Sequence, residues 1–414
     1  MKKISLFLMD MSEEGKTSGV TRYLETLLRG LKTYSNIEVC WIRLVHSQNL
    51  LIHRIKKVNN YTEYIIPLPI NVNSIIREPY WNKQYNSVVY HLIQGILKDK
   101  QNILIHIHTL NLIDLALYIK ERINCKIITH IHCIPWKGLL NYDIKRFNHL
   151  YEKMYIDSTS KNNKDYILSE WEYRAYTKAD SLICVTQCGA GFLNRTITDT
   201  LPPIYIIPNG IEDFCKEEKK KINNKKTIHL IYAGTISPSK GLSFILAALH
   251  NIQKKGYKNY TLKIAGTGHP ALVQSLISQY KDVKFDFLGE LSFTQLRRTY
   301  KKSDIGIIAS LQEQSSYTAI EMAMHGLAII TTAVDGLNEM FNHEENALKT
   351  DTTFNLNEGL KVNLEMLENQ LIELIENVSK RHYLQKQSRN LYLEKMTAKL
   401  MINETISVYE QLTK

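Results

Sequence analysis

The chain has 414 residues, of which 44% are hydrophobic and 22% charged, and its formal net charge is +11. This length exceeds what one hydrophobic core usually covers, so we expect two domains of similar size, and the composition excludes a disordered chain. The positive charge suits phosphorylated substrates or an anionic membrane surface. A nucleic-acid partner is not expected, because no recognised module or zinc pattern is present.

Three features bear on the compartment. The six cysteines form no CxxC pair, which is typical of reduced thiols in a cytosolic protein. The opening MKKISLFLMD resembles a signal peptide, but its apolar run is short and Asp10 ends it, so we interpret it as a strand. The apolar stretch at 103–119 is interrupted by two histidines and Asp114, which argues against a membrane span. We expect a cytoplasmic protein.

The first half of the sequence alternates strands and helices, the pattern of a parallel sheet covered on both faces. A strand at 4–9 leads into a polar loop, and Gly19 opens the next helix with Thr17 or Ser18 as its cap. The apolar face of that helix is predicted to consist of Val20, Tyr23, Leu24, Leu27, Leu28 and Leu31.

Histidines mark two further strands, at 103–107 and 126–131. Each strand carries the triplet HIH, and residues two apart on a strand share a face. The four histidines are His106, His108, His130 and His132. A four-histidine metal site must be considered. The sequence does not favour it, because no carboxylate or cysteine completes a recognisable ligand set.

The rest of the first half ends in a marked break. Further strands are predicted at 37–45, 61–66, 179–186 and 204–207, and further helices at 87–97, 165–178 and 189–195. Pro208, Asn209 and Gly210 then form a strong breaker, followed by the charged run KEEKKKINNKK. We place a domain boundary there, with a linker over 209–226.

The second half restarts the alternation with strands at 227–233 and 261–265. The segment GTGHPA, at 266–271, follows the second strand and precedes a helix. It matches the G-x-G-x-x-A fingerprint of dinucleotide-binding proteins, so an NAD-dependent oxidoreductase is one functional hypothesis. A strand at 283–288 and a helix at 293–302 come next. The tail from 364 to 414 is helical by its period, with Ser379 as a predicted cap.

The most informative stretch is SDIGIIASLQEQSSYTAIEMAMHGLAIITTAVDGLNEMF, at 303–341. It predicts a strand, a polar loop, a helix capped by Ser315 or Ser316, and a second strand after Gly326. The carboxylates Glu313 and Glu321 frame the loop and the helix, with seven residues between them. A ligand binds outside the carboxyl end of such a strand, and free N–H groups at the helix start suit a phosphate.

The Glu-x7-Glu spacing resembles the nucleotide-sugar site of retaining GT-B glycosyltransferases of family 4, a large bacterial family. The Lys240-Gly241 pair and the Pro-Asn-Gly junction resemble the same family in the correct order. The resemblance implies two Rossmann-like domains facing each other across a cleft. Residues 1–208 would form the acceptor domain and 227–395 the nucleotide-sugar domain. A final helix at about 396–414 would cross back to the first domain, anchored by Val408, Tyr409 and Leu412.

The resemblance also implies roles for individual residues. Glu321 would hold the ribose of the nucleotide, Glu313 the transferred sugar, and Lys240 the diphosphate. His132 would be the active-site histidine, and His108 would lie on the acceptor side. The donor would also contact residues of the glycine-bearing loops and the capped helix: Gly19, Gly234, Thr235, Gly241, Gly266, Gly268, Gly289, Ser316 and Tyr317.

Three positions depart from the family pattern. Thr235 replaces an arginine that contacts the diphosphate, Ser316 replaces a glycine, and Cys133 replaces an acid after the histidine. A non-catalytic GT-B partner subunit is therefore a second alternative beside the oxidoreductase.

The function implied by the resemblance is transfer of a sugar from a nucleotide-sugar donor, UDP-linked rather than GDP-linked, to an acceptor hydroxyl. The hydroxyl would attack from the same face as the departing phosphate, without a covalent nucleophile. No cofactor and no metal are expected beside the donor. The acceptor would be a glycan, a lipid-linked sugar or a peptide, and a peripheral contact with the inner membrane face is compatible with the charge.

Overall fold

The computed structural model describes residues 2–15, 18–68, 79–156, 168–197, 199–215 and 227–414. The predicted cap Thr17, most of the predicted linker and the start of the helix predicted at 165–178 lie outside these residues.

The chain divides into two compact units. Unit 1 comprises Met1–Cys133, Asn162–Pro208 and Ala398–Lys414, and unit 2 comprises Ile134–Lys161 and Asn209–Thr397. The division after Pro208 coincides with the sequence-based boundary. The sequence-based assignment of 1–208 to one domain is wrong in one respect, because the segment beginning at Ile134 packs with unit 2.

Unit 1 is built on an eight-stranded sheet in the order β3-β4-β2-β1-β5-β6-β7-β8. Its strands are β1 (Ile4–Glu13), β2 (Ile37–His46), β3 (Arg54–Val58), β4 (Tyr61–Leu68), β5 (Ile103–Ile107), β6 (Cys125–Ile131), β7 (Ser181–Cys184) and β8 (Ile204–Ile206). Every pairing is parallel except that of β3 with β4. The central strands β5 and β6 are buried at every position except Lys126, as expected for a sheet covered on both faces.

The α-helices of unit 1 are α1 (Gly19–Leu31), α2 (Pro79–Leu97), α3 (Ile113–Lys120), α5 (Glu170–Thr177), α6 (Gln187–Thr196) and α14 (Ala398–Leu412). Ser18 caps α1 by accepting a hydrogen bond from the Thr21 amide at 3.1 Å. Tyr23 is fully buried on α1, and its hydroxyl lies 3.2 Å from that of Thr405 on α14. Helix α14 is thereby part of unit 1. Its predicted anchors Val408 and Tyr409 are buried, whereas Leu412 is half-buried.

Unit 2 is built on a six-stranded parallel sheet in the order β11-β10-β9-β12-β13-β14. Its strands are β9 (Ile228–Ala233), β10 (Tyr260–Ala265), β11 (Phe285–Gly289), β12 (Ile305–Ile308), β13 (Ala328–Thr332) and β14 (Leu348–Thr350). A separate antiparallel pair joins β15 (Thr352–Asn355) to β16 (Gly359–Val362). The α-helices of this unit are α4 (Ile144–Tyr151), α7 (Leu242–Lys254), α8 (Pro270–Gln279), α9 (Phe293–Lys301), α10 (Tyr317–Met324), α11 (Asp335–Met340), α12 (Leu364–Glu376) and α13 (Val378–Lys395).

The helical tail begins at Leu364 as predicted and consists of the three helices α12, α13 and α14. Helix α13 is capped by Asn377, whose side-chain oxygen accepts a hydrogen bond from the Lys380 amide at 2.9 Å. The prediction of Ser379 as the cap is wrong, because Ser379 already lies inside the helix.

Within the described ranges, no helix combines the length and the apolar character that crossing a membrane requires.

Candidate functional site

The first part of the site in unit 2 is the turn after β9. Gly241 has φ +71°, a left-handed conformation, and directly precedes α7. A Cβ atom added there would lie 1.8 Å from the carbonyl oxygen of Ala309. The amide of Leu311 donates to the Ser239 carbonyl at 2.8 Å. Only glycine allows this approach, which fixes the turn against the loop after β12.

That approach brings the predicted diphosphate lysine beside the first predicted carboxylate. The Lys240 Nζ forms a salt bridge with Glu313 Oε1, and the two side chains are 32% and 15% exposed. Ser310 Oγ donates to the same carboxylate oxygen at 3.3 Å. The Glu313 carbonyl accepts from the Gly336 amide at 2.9 Å, which holds the loop in place. The structure therefore unites two predicted residues 73 positions apart.

The second part of the site is the start of α10. Ser316 caps this helix with φ −71°, an ordinary conformation for serine, so a glycine is not required at this position. Ser315 has another partner, because its hydroxyl accepts a hydrogen bond from the Asn209 amide at 3.1 Å. Asn209 also donates to the Ser315 carbonyl at 3.0 Å. The Pro-Asn-Gly junction thus holds the loop that precedes the helix. Tyr317, the first residue of the helix, is buried.

The second carboxylate is buried inside α10. Glu321 is 4% exposed, and its Oε2 accepts a hydrogen bond from the hydroxyl of the fully buried Tyr300 at 3.1 Å. The His325 ring in turn contacts the Glu321 carbonyl oxygen through Nδ1 at 2.8 Å. Tyr300 therefore orients this carboxylate, a role that the sequence analysis did not identify. Its sequence signal was weak, since an apolar helix position suits a tyrosine without any polar role.

The glycines of the GTGHPA segment have a packing role. A Cβ at Gly266 would lie 1.9 Å from the Gly234 carbonyl oxygen, and one at Gly268 would lie 2.2 Å from the Ile236 carbonyl oxygen. In dinucleotide-binding proteins the corresponding space admits a pyrophosphate. Here it is filled by the backbone of the loop after β9, which argues against the oxidoreductase hypothesis.

Two predicted donor contacts remain accessible in unit 2. Thr235 is exposed, and its carbonyl accepts a hydrogen bond from the Tyr232 hydroxyl at 2.7 Å. Gly289 has φ +64°, with open space around the position of a Cβ, and its carbonyl accepts from the Gly266 amide at 2.7 Å. Thr235 supplies no positive charge where the family carries an arginine.

Two further residues, which no sequence motif singled out, reach the site loops. Lys137 forms a buried salt bridge with Asp335. Asn141 accepts a hydrogen bond from the Ser239 amide at 3.1 Å. Lys137 and Asn141 belong to the turn Pro135–Asn141, which the sequence placed with the first half. No local motif could have revealed their role, because it follows from the path of the chain into unit 2.

In unit 1, the structure brings together the two histidines predicted to act there. His108 Nδ1 and His132 Nε2 are 3.1 Å apart. Burial lowers the pKa of His132 to about 3, and it lowers that of His108 well below its usual value. Both rings are neutral at physiological pH, so His132 can donate or accept a hydrogen bond without carrying a charge. Gly19 is exposed at the first position of α1.

Two family models match adjacent parts of the chain. Residues 17–213 match Glycosyltransferase Family 4, and residues 214–391 match Glycosyl transferases group 1. The chain belongs to this family of glycosyltransferases. Among curated relatives, an uncharacterized glycosyltransferase of Methanocaldococcus jannaschii is 27% identical over 161 residues, which is 35% of this chain and 40% of the relative.

Solved structures confirm the predicted GT-B fold of this family member. Sucrose-phosphate synthase from Thermosynechococcus elongatus is similar with a TM-score of 0.75 and 15% identity, over 99% of both chains. Anabaena Alr3699/HepE in complex with UDP is similar with a TM-score of 0.67 and 13% identity, over 99% of this chain and 100% of that chain. At such identities the similarity shows the fold alone.

Proposed function

We propose that this protein transfers a sugar from a UDP-sugar donor to an acceptor hydroxyl, with retention of anomeric configuration. The observation that carries the proposal is the Lys240–Glu313 pair beside the capped start of α10, with Glu321 one turn further along that helix. The UDP bound by the structurally similar Anabaena protein supports the choice of nucleotide.

Lys240 and the start of α10 would bind the diphosphate. The helix begins with free backbone N–H groups and the positive end of its dipole, and Lys240 adds a full charge. Glu313 holds the Lys240 side chain at the loop before a donor binds. As the bond between sugar and phosphate breaks, negative charge grows on the nucleotide. Lys240 and the helix start would stabilise it.

The two carboxylates would orient the donor. Glu321 would accept hydrogen bonds from the ribose hydroxyls, with Tyr300 fixing the rotamer of its carboxylate. Glu313 would accept from a hydroxyl of the transferred sugar. Holding both ends of the donor lowers the entropic part of the barrier.

In unit 1, neutral His132 would hydrogen-bond the transferred sugar, and His108 would lie on the acceptor side. The acceptor hydroxyl would attack from the face of the departing phosphate, and a phosphate oxygen would take its proton. We infer a glycan, a lipid-linked sugar or a peptide as acceptor. A cytoplasmic location, with peripheral contact to an anionic membrane, is consistent with the net charge of +11.

The proposal is tested by measuring free nucleotide after incubating the purified protein with UDP-glucose, UDP-galactose, UDP-N-acetylglucosamine and GDP-mannose. We expect a UDP-sugar to yield UDP, because slow transfer to water occurs even without the true acceptor. Release of GDP alone would contradict the UDP assignment.

The same assay separates the two alternatives. Absence of nucleotide release together with binding of a protein or peptide would support the non-catalytic partner subunit. Reduction of NAD, followed by its absorbance, would support the oxidoreductase and contradict the transferase.

A further inference from the structure

Unit 1 contains a cluster of imidazole rings beneath helices α1 and α14, and two of these rings, His108 and His132, also belong to the proposed sugar-transfer site. We define the histidine cluster as His106 on β5 and His108 just after that strand, together with His130 on β6 and His132 just after that strand. The rings of His130 and His132 are stacked with centroids 4.0 Å apart, and those of His106 and His108 are tilted with centroids 4.1 Å apart. The ring of Tyr23 covers three of them, at 4.5 to 5.3 Å.

Two nitrogens of this cluster lack a hydrogen-bond partner among the residues that the structure describes. They are the Nε2 atoms of His108 and of His130, and the two residues are 3% and 1% exposed. Leaving a buried polar atom unpaired costs about 1–3 kcal/mol. The unpaired Nε2 of His108 therefore points to a ligand in this cluster.

The spacing of the rings fits a metal ion. His106, His108 and His130 each offer one ring nitrogen, and these three atoms lie within 4.8 Å of one another. Two ligand nitrogens on one tetrahedral ion are about 3.3 Å apart, given metal–nitrogen bonds of about 2.0–2.1 Å. His106 Nε2 and His130 Nδ1 are 3.2 Å apart and hydrogen-bonded to each other, so an ion bound by these two atoms would replace that hydrogen bond.

The protonation state and the surroundings suit ligation. Burial, together with the neighbouring imidazoles, lowers the pKa values of His106, His108 and His130 well below the usual value, so each ring is neutral. The Tyr409 hydroxyl lies 2.7 Å from His106 Nδ1. Such a partner on the second nitrogen fixes the orientation of a metal-ligating histidine.

We propose that His106, His108 and His130 bind one first-row divalent transition-metal ion of the Zn²⁺ type. Neutral imidazoles favour zinc, cobalt or nickel over magnesium or calcium, which prefer oxygen ligands. The ion would join β5 to β6 and, through Tyr409, hold α14 against the sheet. Its role is structural, and the proposal does not depend on the identity of the donor sugar.

The test uses the full chain purified without a histidine tag and stripped of metal with a chelator. Zn²⁺ binding is measured by calorimetry, and Co²⁺ binding by the visible absorption of a tetrahedral cobalt site. We expect one ion per chain and a higher thermal unfolding midpoint with Zn²⁺. His106→Gln and His130→Gln should weaken binding at least tenfold. His53→Gln, which changes an exposed histidine of the same unit, should bind as the wild type does.

Tyr409→Phe keeps all four imidazoles and removes only the hydroxyl beside His106. We expect about tenfold weaker binding, because the partner of a ligating histidine contributes about that much. This variant decides the matter if the glutamine variants do not fold. The proposal is overturned if the wild type binds no stoichiometric ion, or if the cluster variants bind as tightly as His53→Gln.

Discussion

Both units are built on sheets of mainly parallel strands, but the histidine cluster of unit 1 and the Lys240–Glu313 pair of unit 2 differ in charge state. The histidine cluster of unit 1 is neutral, because complete burial removes the water that would solvate imidazolium. In unit 2, Lys240 and Glu313 are partly exposed and form an ion pair. Access to water, rather than the parallel sheet itself, therefore determines the charge state of these side chains.

The sharpest structural contrast lies at the first loop-to-helix turn of each unit. Gly241→Ala should reduce the free energy of unfolding by about 3–5 kcal/mol, because it combines a left-handed φ with a backbone clash at Ala309. Gly19→Ala changes an exposed glycine at the start of α1 and should shift it by less than about 1 kcal/mol. Chemical denaturation measures both.

Gly289→Ala provides a matched control, since Gly289 has a similar φ of +64° but open space around it. Its cost should be about 1–2 kcal/mol, the conformational part alone. Equal losses for the variants at 241 and 289 would show that the close approach to Ala309 carries no cost.

The next prediction concerns a buried carboxylate of unit 1. Burial raises the pKa of Asp10 from 3.8 to about 6, and the nearby Glu63 adds to this effect. Arg43 and the Trp41 indole, which donates a hydrogen bond to Asp10 at 2.7 Å, act in the opposite direction and lower the pKa. A raised folded-state pKa stabilises the fold at low pH, and this contribution is lost as pH rises through the folded pKa. Stability should therefore fall by about 2–3 kcal/mol between pH 4 and pH 6–7.

Asp10→Asn keeps the acceptor for Trp41 and cannot ionise. Denaturation at several pH values should show that this part of the pH dependence disappears in the variant. An unchanged pH profile would mean that Asp10 does not titrate in this range.

The ionic site of unit 2 is tested by Lys240→Ala. We expect at least a tenfold loss of nucleotide release, about 1.4 kcal/mol of transition-state stabilisation, because a charge beside the leaving group is removed. Lys302→Ala, an exposed lysine beyond the end of α9, is the control and should keep wild-type rates. Equal rates for the two variants would refute the role of Lys240.

The smallest effect is expected for Tyr300→Phe. The variant leaves Glu321 in place but removes its hydrogen bond, so stability should fall by about 1 kcal/mol and turnover by about fivefold. Tyr260→Phe removes an equally buried hydroxyl, which donates to the Leu249 carbonyl at 3.0 Å. It should lose similar stability but keep its turnover. Identical kinetics in both variants would leave Tyr300 with a purely structural role.

The fold was accessible from the sequence because alternating apolar strands and amphipathic helices are local patterns. The strands at 103–107 and 228–233 and the helix after Ser316 follow from hydrophobic period, β-branched residues and caps. The resemblance to the glycosyltransferase family also singled out Lys240, Glu313 and Glu321.

Only the tertiary structure shows the contacts between residues that lie far apart in the sequence. Lys240 forms a salt bridge with Glu313, and the Tyr300 hydroxyl donates a hydrogen bond to Glu321. The segment that begins at Ile134 packs with unit 2. The structure also showed that the glycines of GTGHPA pack against the backbone of the loop after β9, and that four histidines lie together in one cluster. Local patterns record which face of an element is apolar. They do not record which distant atom fills the space beside a glycine or a ring nitrogen.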